Sequence, residues 1–388
     1  MSVTRRDFLS GAGAAALAAA FPRCASANAR SNESRLNLLL FIADDLGATL
    51  GCYGDGQART PHLDGFAYEC VRFERAFVTM ASCSPSRSSI LSGLYPHQNG
   101  QIGLAHYSYS MAPGLPNLVS LLKEAGYRTG IIGKLHVNPA SDFPYDDRGL
   151  EHSRTRDVRA AAADAGRFFA ENGQRPFFLH FNVVDPHTPL LDQYQGLPER
   201  PMRADEATVW PWIGLDHPTL RQRIAGYYNC VSRVDTAFGL VLDELRKHGL
   251  EENTLIVVLG DHGPPFTRGK ASIYEAGLRI PLLVRWPGRS RPGVVRREMV
   301  STIDLLPTLC EAAGAPLPTG LPGRSMAPLI GDRKARWREL LFAEYTTHPP
   351  EWFFPMRSVR DDRCKLIHNL LAPARPNPIT LMDNCPAR

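Results

Sequence analysis

Residues 36–45 read Leu-Asn-Leu-Leu-Leu-Phe-Ile-Ala-Asp-Asp. A near-continuous apolar run closed by two acids predicts a strand buried on both faces, with carboxylates at its C-terminal end. Residues 254–263, Thr-Leu-Ile-Val-Val-Leu-Gly-Asp-His-Gly, repeat the pattern. Further strands are predicted over 128–133, 176–183 and 280–285, and helices over 117–125, 158–171, 220–248 and 303–313. Pro61, His62 and Asp64 are read as a helix start. Strands alternating with helices imply an α/β fold with a large, mostly parallel sheet and helices on both faces. In such a sheet the ligand crevice lies beyond the carboxyl ends of the strands. Asp44-Asp45 and Asp261-His262, about 215 residues apart in the chain, both fall there.

A Pro- and Gly-rich connector spans residues 316–328. Three strand-like runs follow, at 340–345, 356–360 and 364–370, and predict a small C-terminal antiparallel sheet. The expected division is a catalytic α/β domain over 30–330 and a partial, truncated C-terminal subdomain over 331–388. Residues 1–29 stand apart. Arg5-Arg6 precede an apolar stretch from Phe8 to Phe21, then small residues, and this resembles a bacterial twin-arginine export signal. The mature protein is therefore expected outside the cytoplasm, in the periplasm, exported after folding and after any modification made in the cytoplasm.

Composition narrows the function classes. The 388 residues are 44% hydrophobic and 21% charged, which excludes a disordered or coiled-coil chain. No apolar run reaches the ~18 residues that a membrane span needs. The net charge of +5 is small and scattered, so no nucleic-acid partner is expected. None of the eight cysteines pairs at zinc-ligand spacing.

Cys83-Ser-Pro-Ser-Arg87, followed by Ser-Ser-Ile-Leu-Ser-Gly, resembles the Cys-x-Pro-x-Arg signature of the sulfatase family. The resemblance extends over nearly all of the mature chain. Gly133-Lys134-Leu135-His136, Asp185-Pro186-His187 and Asp261-His262-Gly263 with Lys270 match further family elements. The branch it looks closest to is that of the sulfamidases (heparan N-sulfatases), on residues 83–104, 127–139 and 354–370. Two departures stand out: Asp-His where many members carry Asp-Asn, and a shorter C-terminal region.

The resemblance implies a mechanism. A separate maturation enzyme oxidises Cys83 to formylglycine, whose hydrate attacks sulfur and forms a sulfated enzyme. The second hydroxyl then expels sulfate. Asp44, Asp45, Asp261 and His262, with residue 83, would hold one divalent cation, calcium being the expectation and manganese an alternative. Arg87, Lys134 and Lys270 would face the sulfuryl oxygens, with Arg268 a competitor for the place of Lys270. His187 would protonate the leaving group and His136 would deprotonate the remaining hydroxyl. This agrees with elementary chemistry, since a sulfate ester or sulfamate repels nucleophiles and needs cations around its oxygens. Pro85 suits a first helical position, so 84–87 are read as opening a helix whose N-terminus adds to the anion site.

Each feature alone has a plainer reading. Cys83 alone is a small buried hydrophobe, Asp44-Asp45 a solvated cap, and His136 or His187 a structural histidine. His97 is read as structural or rim, and Tyr107–Tyr109 as packing or a sugar subsite. Taken together they predict a sulfatase acting on a sulfated glycan, with N-sulfoglucosamine favoured. The alternatives are an O-sulfatase, a phosphodiesterase or phosphonate hydrolase of the same fold, and a non-catalytic glycan-binding relative. A homodimer is admitted.

Overall fold

The computed structural model describes residues 35–172, 175–331 and 335–372. The export signal expected over 1–29 lies outside the described residues. The strands in chain order are β1 (Asn37–Ala43), β2 (Val71–Phe73), β3 (Ala76–Phe77), β4 (Arg128–Ile132), β5 (Asp147–Arg148), β6 (Phe177–Val183), β7 (Thr254–Gly260), β8 (Arg279–Ile280), β9 (Leu282–Arg285), β10 (Val294–Arg296), β11 (Val300–Ser301), β12 (Leu341–Tyr345), β13 (Met356–Arg360) and β14 (Lys365–Asn369). The large sheet runs β10-β2-β9-β7-β1-β6-β4-β5. Only β9 is reversed, pairing antiparallel with both β7 and β2.

β1 is central, and every residue in it is buried. Its side chains alternate between two cores. Leu38, Leu40 and Ile42 enter one, and Leu39, Phe41 and Ala43 enter the other. The helices Val158–Glu171 and Pro218–Lys247 cover the second face through Ala161, Phe168, Tyr227 and Phe238. The helices Leu118–Glu124 and Leu305–Ala313 cover the first through Leu122, Leu306 and Leu309. Burial on both faces is what a nearly unbroken apolar strand requires.

Register places the site. Ala43 pairs with Val183 of β6 and with Gly260 of β7. The next residues, Asp44, Val184 and Asp261, therefore leave the sheet at one level on its carboxyl edge.

Three local expectations are corrected. The strand expected over 280–285 is two strands, β8 in a small sheet with β3 and β11, and β9 in the large one. Pro281 lies between them and has no N–H for a ladder. The helix expected from 303 begins as a 3-10 turn, Thr302–Asp304, before Leu305–Ala313. Helix Pro61–Glu69 is not capped by its own His62 or Asp64. The Asp235 carboxylate accepts from the N–H groups of His62 and Leu63, while Asp64 accepts from the Cys52 N–H.

The C-terminal sheet is antiparallel, in the order β12-β13-β14. Its Leu341, Ala343, Tyr345 and Met356 pack into the first core. The Glu344 N–H donates to the Thr79 carbonyl at 2.8 Å, tying this sheet to the segment just before Cys83.

Candidate active site

Cys83 is itself the first residue of the helix Cys83–Ser92, with extended Ser82 as its N-cap. Pro85 is thus the third helical position and not the first. The change is tolerated because first-turn N–H groups have no intrahelical acceptor to lose. All ten residues of this helix are buried.

Arg87, one turn on, binds the carboxyl edge together. Its Nε donates to Asp261 Oδ2 at 2.9 Å, and its Nη1 donates to Asn182 Oδ1 at 2.6 Å and to the Lys134 carbonyl at 3.1 Å. Its Nη2 lies 3.5 Å from Asp44 Oδ1. The guanidinium is therefore committed to carboxylates, and acts on the acidic cluster first.

Lys134 Nζ donates to Asp44 Oδ2 at 2.6 Å, and Lys270 Nζ to Asp45 Oδ2 at 3.0 Å. Arg268 does not take that place, because it is exposed and donates to the Trp212 carbonyl. Asp45 holds a left-handed backbone, φ 68°, a conformation rare outside glycine and concentrated where geometry serves a site. Its N–H donates to Asp261 Oδ1 at 2.9 Å.

His262 Nδ1 lies 2.9 Å from the Gly263 carbonyl, which assigns the ring proton of the neutral form to Nδ1. Nε2 faces the cluster, 3.3 Å from both Asp45 Oδ1 and Cys83 Sγ. Burial acts to lower the ring's pKa, but Asp261, Cys83 and Asp45 push it up to about 10, so a bound cation would take the lone pair by displacing that proton.

The donors fall in two overlapping groups, Asp45 with Cys83 and His262, and Asp44 with Cys83 and Asp261, each with its ligand atoms within 4.8 Å of one another. Oδ1 of Asp44 and Oδ1 of Asp45 are buried without a hydrogen-bond partner. Buried carboxylate oxygens without a hydrogen bond, in donor groups that share Cys83, fit a divalent cation, which takes oxygen ligands readily.

The electrostatics agree. Burial acts to raise the Asp44 carboxyl, but Lys134 and Arg87 hold it well below the usual range. Burial and the neighbouring Asp44 push Asp261 up to about 7. Burial would also raise the Cys83 thiol, yet Lys134 and Lys270 bring it down to about 6. The acidic cluster thus retains a proton that a bound cation would displace.

Histidines line the rest of the cleft. His136 has φ 52°; its Nε2 lies 2.9 Å from Nδ1 of His106, and its own Nδ1 is buried without a partner. His187 Nδ1 lies 2.9 Å from the Thr188 carbonyl, and its own carbonyl accepts from Arg156. Asp185, two residues earlier, is an anchor paired with Arg156 and Arg233.

All ten expected site residues converge on this one edge. Sequence reasoning missed four neighbours: His106, His152, Asn182 and His348. His152 Nε2 lies 3.3 Å from Asp44 Oδ2. His348 comes from the C-terminal region, where its Nδ1 meets Ser82 Oγ at 2.8 Å. Asn182 carried a faint signal, a lone amide in an apolar strand. His97 is a structural residue held by Glu344.

The sulfatase family profile matches residues 36–315. A second profile, for the C-terminal part of N-sulphoglucosamine sulphohydrolase, matches residues 260–379. The chain is 34% identical over 369 residues to human N-sulphoglucosamine sulphohydrolase, across 86% of this chain and 73% of that one. It is 32% identical over 372 residues to human arylsulfatase A, across 81% and 71%. An ulvan-active sulfatase of Formosa agariphila is 28% identical, across 86% and 66%. Among solved structures, one in complex with its substrate D-glucosamine-2-N,6-O-disulfate superposes with a TM-score of 0.71 at 21% identity, over 86% of this chain and 89% of that one. A phosphonate monoester hydrolase from Silicibacter pomeroyi superposes at 0.69 and 22%, over 86% and 87%. At such identities these two establish the fold. A profile spanning most of the chain, and a third of aligned positions shared with a human sulfohydrolase, make this chain a member of the sulfatase family on its sulfamidase-like branch, a hydrolase of sulfate esters or sulfamates.

Proposed function

We propose that this protein removes sulfate from a sulfated glycan, with the N-sulfate of glucosamine as its preferred group. The observation that carries the reading is the seating of Cys83 against His262, between Lys134 and Lys270, on a floor of three buried carboxylates. The likeness to the human sulphoglucosamine enzyme, which extends into the C-terminal region, supports the choice of N-sulfate.

A formylglycine made from Cys83 supplies an oxygen nucleophile that a thiol does not. A divalent cation, calcium by its mostly carboxylate donors, supplies a Lewis acid for the sulfuryl oxygens. Asp44, Asp45, Asp261 and His262 would hold it. Lys134 donates to Asp44 and Lys270 to Asp45, and their ammonium charges face the negative oxygens of the substrate. With Nδ1 turned to the Thr188 carbonyl, His187 handles protons at Nε2, where it donates to the departing amine or hydroxyl. His136 accepts a proton at its unpartnered Nδ1.

Among the described residues both candidate donor groups share Cys83, so they describe one cation site, not the paired sites of a two-metal phosphatase. The twin arginines at Arg5-Arg6 support export of the folded, matured protein to the periplasm.

The test is sulfate release by protein co-produced with a formylglycine-generating enzyme. Glucosamine N-sulfate is expected to be cleaved in preference to glucosamine 6-O-sulfate. Cleavage of the O-sulfate alone would overturn the N-sulfate assignment, and cleavage of a phosphate ester alone would overturn the sulfatase reaction.

A further inference from the structure

His136 presents a problem of charge. Burial first, then the Lys134 ammonium, works against a second proton on its ring, and its affinity for one falls to about 2. Asp44 opposes this, while Arg87 and His106 add to it. A base that must become an imidazolium beside two buried cations is a poor base. The geometry offers a way around this. His106 Nδ1 lies 2.9 Å from His136 Nε2, and the two rings are parallel within 6°. His106 is exposed, and Tyr107 packs against its ring at 4.4 Å. The pair therefore runs from a buried, unpartnered nitrogen at the reacting centre to a ring in contact with solvent.

We propose that His106 is a relay residue, which carries to solvent the proton that His136 removes at the active site. The inference rests on the sulfatase reading, in which His136 is the base.

Each transfer balances. At rest the single proton of neutral His136 is on Nε2, donated to His106 Nδ1, and His106 carries its own proton on Nε2. When the substrate-side hydroxyl gives up its proton, that O–H bond breaks and a bond to His136 Nδ1 forms. The Nε2–H bond of His136 breaks as a bond to His106 Nδ1 forms, and His106 releases its Nε2 proton to water. Neither ring ends with two protons, so no imidazolium is left beside Lys134 and Arg87. The pair resets when His136 Nδ1 passes its proton to water in the emptied site, His106 returns its Nδ1 proton to His136, and His106 takes one from solvent at Nε2. Over the full cycle one proton passes from the reacting hydroxyl to water, and no imidazolium forms beside Lys134 and Arg87 while the site is occupied.

The relay needs one tautomer of His136, with hydrogen on Nε2. The alternative, with hydrogen on Nδ1 and His106 donating, leaves no acceptor facing the reaction. Two-bond 1H–15N spectra of histidine-labelled protein carrying Cys83→Ala decide between them without turnover, with His106→Gln and His136→Gln assigning the signals. The expected result is a pyridine-like Nδ1 on His136, shifting toward the other tautomer in His106→Gln. A proton on Nδ1 of His136 with His106 present would overturn the proposal.

Kinetics of the matured enzyme give a second reading. His106→Ala should lower kcat by about tenfold or more with KM little changed, and added imidazole should restore much of the loss. His136→Gln should not respond to imidazole. Because His106 is exposed, its substitution should leave the thermal midpoint nearly unchanged. An unchanged kcat in His106→Ala, or a loss that imidazole leaves untouched, would contradict the relay. A matured wild type without sulfatase activity would fail the functional reading, while the spectra would still report the tautomer.

Discussion

The backbone N–H of Asp45 donates to the side chain of Asp261 at 2.9 Å, across 216 residues of chain. The contact follows from strand register, since β1 and β7 are neighbours and Ala43 lies level with Gly260. Arg87 then bridges the two sides of the same edge, reaching Asp261 with Nε and Asp44 with Nη2. The acidic cluster is therefore built into the central sheet and does not depend on a mobile loop.

Replacing Arg87 with Met should leave Asp261 without its closest charge partner. Removing one member of a buried ion pair costs about 3–5 kcal/mol, and urea unfolding of the metal-free protein should show a loss of that size. Added divalent cation should recover part of it, because ligands that bind only the folded state stabilise by mass action.

The Asp185 anchor makes a similar prediction away from the cation site. Its Oδ2 accepts from Arg233 Nε at 2.6 Å, and its Oδ1 meets Arg156, which also holds the carbonyls of His187 and Pro189. Arg233→Met should destabilise the fold by about 3 kcal/mol and leave His187 in place. Arg156→Met should in addition lower kcat, since it frees the His187 backbone. Paired unfolding curves and steady-state rates separate the two effects.

His180 sets an acid limit on stability. It is fully buried in β6, its Nδ1 lies 2.8 Å from the Tyr145 hydroxyl, and burial followed by the Arg87 charge lowers its pKa from 6.5 to about 3. The native state keeps this ring neutral while the unfolded chain protonates it. Its contribution is thus complete above pH 6.5 and is lost as pH falls from 6.5 toward 3, at up to ~1.4 kcal/mol per pH unit. His180→Phe should remove that share of the slope in urea unfolding across this range, while costing about 1 kcal/mol at pH 8 for the hydrogen bond.

Ser82 and His348 join the nucleophile's helix to the C-terminal region at 2.8 Å. The His348 ring also stacks on Trp352, 5.9 Å between centroids. A double-mutant cycle with Ser82→Ala and His348→Phe should give a coupling of about 1 kcal/mol in unfolding free energy. Additive effects would mean that the C-terminal region is not anchored through this pair.

Much of this was legible in the sequence because it depends on short-range patterns. Strands buried on both faces betray themselves as apolar runs, and the residues that follow them must lie on the carboxyl edge, so Asp44, Asp45, Asp261 and His262 could be placed together. The Cys-x-Pro-x-Arg motif located Cys83 and Arg87. What could not be read depends on loop paths. His106, His152 and His348 lie in segments without periodicity, and only long-range packing brings them to the cleft. Arg268 and Lys270 look interchangeable as sequence, yet the loop exposes one and buries the other. Pro281 marks the break between β8 and β9, but the apolar run around it reads as one strand.

One cation is expected between the ends of β1 and β7, with residue 83 facing it. The most direct measurement is anomalous scattering from crystals of the matured protein grown with a divalent ion. The expected result is one ion within ~2.3–2.6 Å of oxygens from Asp44, Asp45 and Asp261, with His262 Nε2 and residue 83 beside it. An ion bound elsewhere, or residue 83 turned away from those carboxylates, would contradict it.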